Sequence, residues 1–471
     1  MNGTFTPVDF VRSLPVVAEP DVLVVGAGCA GTAAALAAAR LGVDTLLVER
    51  SGFCGGYITN VCGPALDGFV DLRSGRPVAG GIAMELATAA AITDAPKPLT
   101  NSRFHFNVEL GHARAASDRC RIRFDVERFK LTADRLLAEA GVRTIYHTVV
   151  ADAIGSGRRV EGVVVANKAG LGVIKAQCVV DASGDADVVA FAGGGFAFDP
   201  TDCQPMSLHF RVGGITPTRR LRMVCGEVLE AAVREGLLGL YAGPWMSEVA
   251  PREVYFNATR ISGNPLDPED LSRAEIKGRE DAHAMFELFK ERIPDFHDAH
   301  FAASGPVVGV RESRRIEGEE TLTAADIIEQ RSRQNVIGLG AWWLDRHPSA
   351  RSGYHEHVMV RPYDIPFGSL VPVGLANVLV AGRCHSAESA AMASSRVTVT
   401  CMVMGQAAGI AAALAARRKV EVRDVPIAAL QDSLLANGAV ILDRADRLRE
   451  EGDGIADADR VATPNLDLKK N

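Results

Sequence analysis

The apolar run Val22-Leu23-Val24-Val25 stops at Gly26-Ala27-Gly28-Cys29-Ala30-Gly31 and gives way to an alanine-rich stretch through Arg40. A second apolar run, Thr45-Leu46-Leu47-Val48, ends at Glu49. Short runs that are apolar at every position predict strands buried on both faces of a parallel sheet, and an apolar helix between two of them predicts a βαβ unit. Farther along, Val126, Phe129, Leu131, Leu136 and Leu137 recur at helical spacing over 125–140, with Gly141 as a stop signal. The pattern then changes to β-branched runs over 144–150, 160–167 and 173–180, which read as a meander returning to the main sheet. It ends in Asp181-Ala182-Ser183-Gly184-Asp185-Ala186-Asp187, where a buried strand opens into a glycine-acid turn.

Residues 196–370 have a different texture. Strand candidates at 207–212 and 254–260 flank charged helical segments, among them 268–293, and predict an inserted α+β domain. The chain returns with Asn377-Val378-Leu379-Val380-Ala381-Gly382-Arg383, a strand and glycine turn, followed by an apolar helix over 399–415. The expected layout has an extended leader at 1–19, held out of helix by Pro15 and Pro20. A Rossmann-like α/β domain with parallel sheet and meander follows in two parts, 20–195 and 371–420, with a substrate domain at 196–370 between them and a C-terminal helix and tail at 421–471.

Composition narrows the partners. A chain of 471 residues that is 47% hydrophobic and 23% charged is that of a folded protein with more than one core. A net charge of −7, with no lysine-arginine block, argues against nucleic acid. The nine cysteines are scattered, mostly in apolar runs such as Gln177-Cys178-Val179-Val180, the usage of a reducing compartment. The start of the chain lacks the pattern of a secretory signal. The longest apolar stretch, 401–416, is interrupted by Gly405, Gln406 and Gly409 and reads as a buried helix, not a membrane span. A cytoplasmic protein without a membrane partner is expected; a homo-oligomer is left open.

The turn after the first strand has the chemistry of a dinucleotide site. Gly26 permits the tight turn, Gly28 lets the backbone approach the phosphates, and Gly31 lets the helix pack close to the sheet. Amides at the helix start face the anion, and the helix dipole favours its charge. Glu49 closes the second strand where a carboxylate accepts the ribose hydroxyls, and it would repel a ribose phosphate.

Together with this unit, Gly55-Gly56-Tyr57-Ile58-Thr59, 181–187, Val310-Arg311-Glu312-Ser313-Arg314-Arg315-Ile316-Glu317-Gly318, Val380-Ala381-Gly382-Arg383, Arg396-Val397 and Met404-Gly405-Gln406-Ala407-Ala408-Gly409 resemble the bacterial FAD dependent oxidoreductase family of the glutathione-reductase superfamily. The resemblance spans 21–416 and implies a non-covalent FAD lying extended across the first domain. Its cofactor residues would be Gly26, Gly28, Gly31, Glu49 and Arg50 at the ADP half, Val150 at the adenine, Gly184 and Asp185 at the ribityl and pyrophosphate portion, and Gly382 and Arg383 at the flavin end, with Ala30, Gly55, Gly56, Arg396 and Val397 also against the cofactor.

Several candidate chemistries separate on spacing. Cys54 and Cys62 stand too far apart for the redox pair of a disulfide reductase. The returning strand carries no acid after Gly382, which disfavours an aromatic hydroxylase. Arg311, Glu312, Arg314 and Arg315 form a charged cluster in which one arginine could grip a substrate carboxylate, or all could pair with Glu317, Glu319 and Glu320. The stretch 341–363 holds Trp342, Trp343, His347, His355 and His357, with His355 and His357 on one face if extended. Arg311, His355, His357 and His385 are the catalytic candidates and Tyr57, Arg311 and Tyr363 the substrate-binding ones; no metal set is evident.

The expected activity is hydride transfer between a small organic substrate and FAD, of the dehydrogenase or oxidase type, with oxygen, a quinone or a carrier protein as acceptor. The alternatives are a monooxygenase and a flavoprotein module whose FAD is structural or regulatory.

Overall fold

The computed structural model describes residues 11–71, 77–91, 121–123, 125–216, 218, 220–347 and 356–441. At its centre is a parallel sheet in the order Val378–Val380, Cys178–Asp181, Val22–Val25, Thr45–Val48, Arg143–Ile145. The three central strands are buried at every position, as a sheet covered on both faces requires. Alternate residues serve opposite faces. Val22, Val24, Leu47 and Val180 join the core of the helical layer, while Leu23, Val25, Leu46 and Val179 pack against Val163, Val165 and Ile174 of the meander.

The meander is a sheet of Val16–Ala18, Gly170–Ile174, Arg159–Asn167 and Val149–Ser156. The run expected as one strand over 173–180 is two: Gly170–Ile174 belongs to the meander and Cys178–Asp181 to the main sheet. Part of the expected leader, Val16–Ala18, is an edge strand paired with Gly170–Ile174.

The helix Cys29–Arg40 is crossed at backbone distance by the apolar helix Thr398–Arg418. A Cβ on Gly405 would collide with the Ala30 carbonyl, and one on Gly409 with that of Ala34, so the close crossing depends on glycine at both positions. Thr398–Arg418 is long and apolar enough to cross a membrane, but 89% of its most apolar window is buried inside the protein.

The second sheet is antiparallel, in the order Tyr241–Ala250, Glu253–Thr259, Phe210–Gly213, His300–Ser304. The helices Leu221–Arg234 and Pro268–Arg292 complete a separate core around Phe210, Phe256, Phe289 and Phe296, in which Phe210 and Phe256 stack with ring centres 5.1 Å apart. Helix Pro268–Arg292 begins where Asp267 accepts from the Glu269 and Asp270 amides, with proline in the first turn. The core does not divide at residue 370: Leu322, Ile327, Ile337, Trp342, Tyr363 and Leu370 pack with the helical layer of the nucleotide domain.

Candidate active site

The turn after Val22–Val25 is held open by its own backbone and by one carboxylate. Glu49 accepts from the Ala27 amide at 2.7 Å and from the Ser51 amide at 2.7 Å. Gly26 adopts a φ of +89°, and a Cβ there would press on the Ala182 carbonyl at 2.6 Å. Gly31 is equally constrained by the Gly26 carbonyl. Gly28 differs: a Cβ there would meet nothing nearer than the Gly56 Cα at 4.0 Å, because its missing side chain opens onto a cavity.

That cavity, about 340 Å³, is continuous from Gly26, Gly28, Ala30, Glu49 and Arg50, past Gly184, Asp185, Gly382 and Arg383, to Gly56, Tyr57, Arg396, Val397 and Thr398. Two strand ends meet at its middle, since Cys178–Asp181 and Val378–Val380 are parallel neighbours. Asp185 pairs with Arg383 at 2.9 Å and accepts from the Ser313 hydroxyl at 2.6 Å. Burial works against its charge, but Arg383 and that hydroxyl outweigh it and hold the carboxyl below its usual range. Asp181, fully buried beneath, accepts from Ser183 and from the Val189 amide, yet burial still lifts its carboxyl to about 6. The helix Thr398–Arg418 points its N-terminus at the cavity through Val397, Thr398 and Cys401, with no acidic side chain in its first turn.

The far wall comes from the second sheet and from 342–347. Tyr57 stands edge-on to His209, ring centres 5.6 Å apart, and His209 Nδ1 lies 2.8 Å from the Tyr255 hydroxyl. Tyr57 and Tyr255 also interact through their hydroxyls. Burial, then the charge of Arg311, pushes the His209 imidazole well below its ordinary pKa, so it is neutral at pH 7. Arg311 is buried and donates through Nη1 to the Pro205 carbonyl at 2.6 Å and the Ser207 hydroxyl at 2.7 Å. Its pKa falls to about 10, by burial first and then by Arg396 and Arg260. Trp245, Asn257, Trp342, Trp343, Asp345 and His347 complete this end. His347 lies 3.2 Å from Asp345, and burial brings its pKa down to about 3.

The expected residues fall into three groups. Gly26, Gly28, Ala30, Glu49, Arg50, Gly56, Tyr57, Gly184, Asp185, Arg311, Gly382, Arg383, Arg396 and Val397 line one cavity. Gly31, Gly55, Val150, Tyr363 and His385 do not. Gly31 and Gly55 shape the turn, the Gly55 amide donating to the Ala27 carbonyl at 2.8 Å, and Val150 packs half-buried in the meander. Tyr363 is buried with its hydroxyl on Ser394 at 2.6 Å. His385 is buried between the Gly382 carbonyl at 2.9 Å and the Ser395 hydroxyl at 3.0 Å. Both are core groups. His357 lies in strand Glu356–Val358 opposite Asp345, and His355 lies outside the described residues.

The arginine cluster does not pair with the acids expected. Arg314 reaches Asp187, Arg315 pairs with Glu312, and Glu319 and Glu320 are engaged by Arg423 and Arg333. His209, Trp245, Tyr255, Asn257 and Asp345 also line the cavity and belong to none of the sequence motifs. Their one signal is alternation: Tyr255 and Asn257 face the cavity while Val254, Phe256 and Ala258 face the phenylalanine core, the pattern of any half-solvated strand.

These residues suit FAD. The cradle at Gly28 leaves room that a Cβ would fill, Glu49 keeps free lone pairs beside its two amide bonds, and the cavity continues from there to an unopposed helix N-terminus. Fold and site thus define a dinucleotide-binding α/β protein with a second, aromatic-lined sheet over the cofactor cavity. The FAD dependent oxidoreductase family model matches residues 21–434; the chain belongs to that family, and its cofactor is FAD.

Similar solved structures include a geranylgeranyl bacteriochlorophyll reductase-like protein from Thermoplasma acidophilum, 14% identical over 92% of this chain and 84% of that one, TM-score 0.46. A flavin-dependent brominase is 17% identical over 89% and 83%, TM-score 0.45. The p-nitrophenol 4-monooxygenase of Pseudomonas putida is 12% identical over 93% of each chain, TM-score 0.42. Likeness at this level assigns neither a substrate nor a residue role.

Proposed function

We propose that this FAD-dependent oxidoreductase is of the dehydrogenase or oxidase type, acting on a small organic substrate and passing its electrons to an external acceptor: oxygen, a quinone or a carrier protein. Bound FAD supplies the two-electron chemistry by exchanging a hydride with the substrate. Gly26, Gly28, Glu49 and Arg50 would seat the ADP half, and Gly56, Gly382, Val397 and Thr398 would border the flavin.

The observation that supports this reading is the set Tyr57, Tyr255 and His209 on the wall of the cofactor cavity, in which Tyr255 and His209 are buried and Tyr57 is exposed. Loss of a hydride from a carbon bearing a hydroxyl or amine requires that its proton also leave. Two phenol hydroxyls and the neutral imidazole would give that proton a hydrogen-bonded path away from the carbon. Trp342 and Trp343, both buried, add apolar surface to the same cavity.

The test is anaerobic mixing of the holoprotein with small alcohols, amines and unsaturated acids while the visible flavin band is followed. Bleaching without oxygen, slowed in Tyr57→Phe and His209→Asn, is the expected outcome. Turnover that requires oxygen and leaves a labelled oxygen atom in the product would instead make it a monooxygenase. A flavin that no small donor reduces would make it a binding module.

A further inference from the structure

Three partly buried arginines of this protein have acids as partners. Arg383 has Asp185, Arg315 has Glu312, and Arg333 has both Glu320 and Asp326. Arg311 breaks the pattern. It is buried on the cavity wall, its partners are a carbonyl and a hydroxyl, and among the described residues no carboxylate lies within ion-pair distance. A guanidinium removed from water with no ion-pair partner is costly, although the Asp345 carboxylate favours its charge from farther off, and both of its bonds use one nitrogen, which leaves donors for a further partner.

A second guanidinium shares that end. Arg396 closes the helix Ser389–Ser395 and lines the cavity. It reaches the Asp345 carbonyl at 3.2 Å and stands 3.9 Å from the Asp345 carboxylate, and its buried Nε has no hydrogen-bond partner. The two arginines come from different parts of the chain and depress each other's neighbourhood: Arg396 lowers the pKa of Arg311, and Arg311 lowers those of His209 and His347. Tyr57, Trp245, Trp342 and Trp343 give the same cavity aromatic walls.

We infer that the substrate is a carboxylate with a flat, unsaturated or aromatic body, its carboxylate gripped by Arg311 with Arg396 beside it and its body against the tryptophans. The inference rests on the hydride-transfer reading for the word substrate, but the binding site stands or falls separately. A carboxylate would supply the charge that Arg311 lacks, and a planar guanidinium engages its two oxygens together. Fixed there, the body of the molecule is directed toward Tyr57, Tyr255 and His209.

The test uses FAD-loaded protein and two matched sets of probes: benzoate, phenylacetate and cinnamate, against the neutral amides of the same three acids. Binding is read from perturbation of the flavin spectrum and from the rise in melting temperature, not from turnover. At least one acid should bind, its amide about thirtyfold more weakly or worse, and Arg311→Met should remove the difference while keeping its FAD. Arg311→Lys should restore part of the affinity. Equal binding of acid and amide, undiminished acid binding in Arg311→Met, or no binding by any of the acids overturns the inference. The acid–amide comparison on unaltered protein decides the matter if the methionine variant does not fold. Arg311-dependent acid binding without reduction by any donor would sink the hydride-transfer reading and leave this site standing; bleaching by a neutral donor, with no acid bound, would do the reverse.

Discussion

At the residue scale, neutral buried histidines tie stability to pH. His385 has an ordinary unfolded pKa near 6.5, but burial brings it to about 4 in the fold, where the Gly382 carbonyl keeps a proton on Nδ1 and Nε2 takes the Ser395 hydroxyl. Between those values the unfolded chain binds a proton that the folded chain refuses, so stability is complete above the unfolded value and falls as acid is added toward pH 4. The loss from this one group reaches roughly 3 kcal/mol by pH 4. His209 and His347 shift in the same direction. Urea unfolding at pH 7 and pH 5 checks this: His385→Gln should be less stable at pH 7 yet show a shallower fall, by about one proton. An unchanged slope would place the titration elsewhere.

Glu49 belongs to the same scale. Because it ties together the Ala27 and Ser51 amides, Glu49→Ala should destabilise the protein by about 1–3 kcal/mol as well as weaken FAD, read by denaturation of the apoprotein and by titration with FAD. Glu49 was legible as an acid at the end of a strand. Its structural bonds were not, because sequence spacing carries no record of which amides face a carboxylate.

At the element scale, two glycines of one motif class should behave oppositely. Gly28→Ala meets no protein atom closer than 4.0 Å and sits in an extended conformation open to any residue, so it should fold normally and lose FAD, by tenfold or more on the scale of about 1.4 kcal/mol per decade. Gly405→Ala drives a methyl into the Ala30 backbone, so it should lower stability by about 1–3 kcal/mol and weaken FAD only through the displaced helix. Melting curves of both apoproteins, set beside FAD titrations, separate the two effects. A stable Gly405→Ala would show that the helices Cys29–Arg40 and Thr398–Arg418 have room to part.

Over the molecule as a whole, the second sheet has its own core and gives the cavity His209, Trp245, Tyr255 and Asn257, while the nucleotide domain gives the cradle. Phe256→Ala removes a ring stacked on Phe210 and should cost about 3–5 kcal/mol. Because Tyr255 and Asn257 flank it on the opposite face, binding at the aromatic end should weaken more than FAD binding does, measured by calorimetric titration of each. Equal losses would mean that the two parts move as one body.

What the sequence determined by itself is the part written in local rules: the buried parallel strands, the glycine turn with its acid, the meander, the apolar helix and the order of the parts along the chain. Periodicity and turn chemistry act over a few residues, so they can be read without the fold. The tertiary structure alone decided which histidines reach the cavity. His385 and Tyr363 are in the core, while His209 and His347 reach the cavity, each from a strand or loop whose alternation would serve equally well against solvent. It also decided that Arg311 lacks an acid although Glu312 is its neighbour in sequence, since ion pairing follows distance in space and Glu312 turns instead to Arg315.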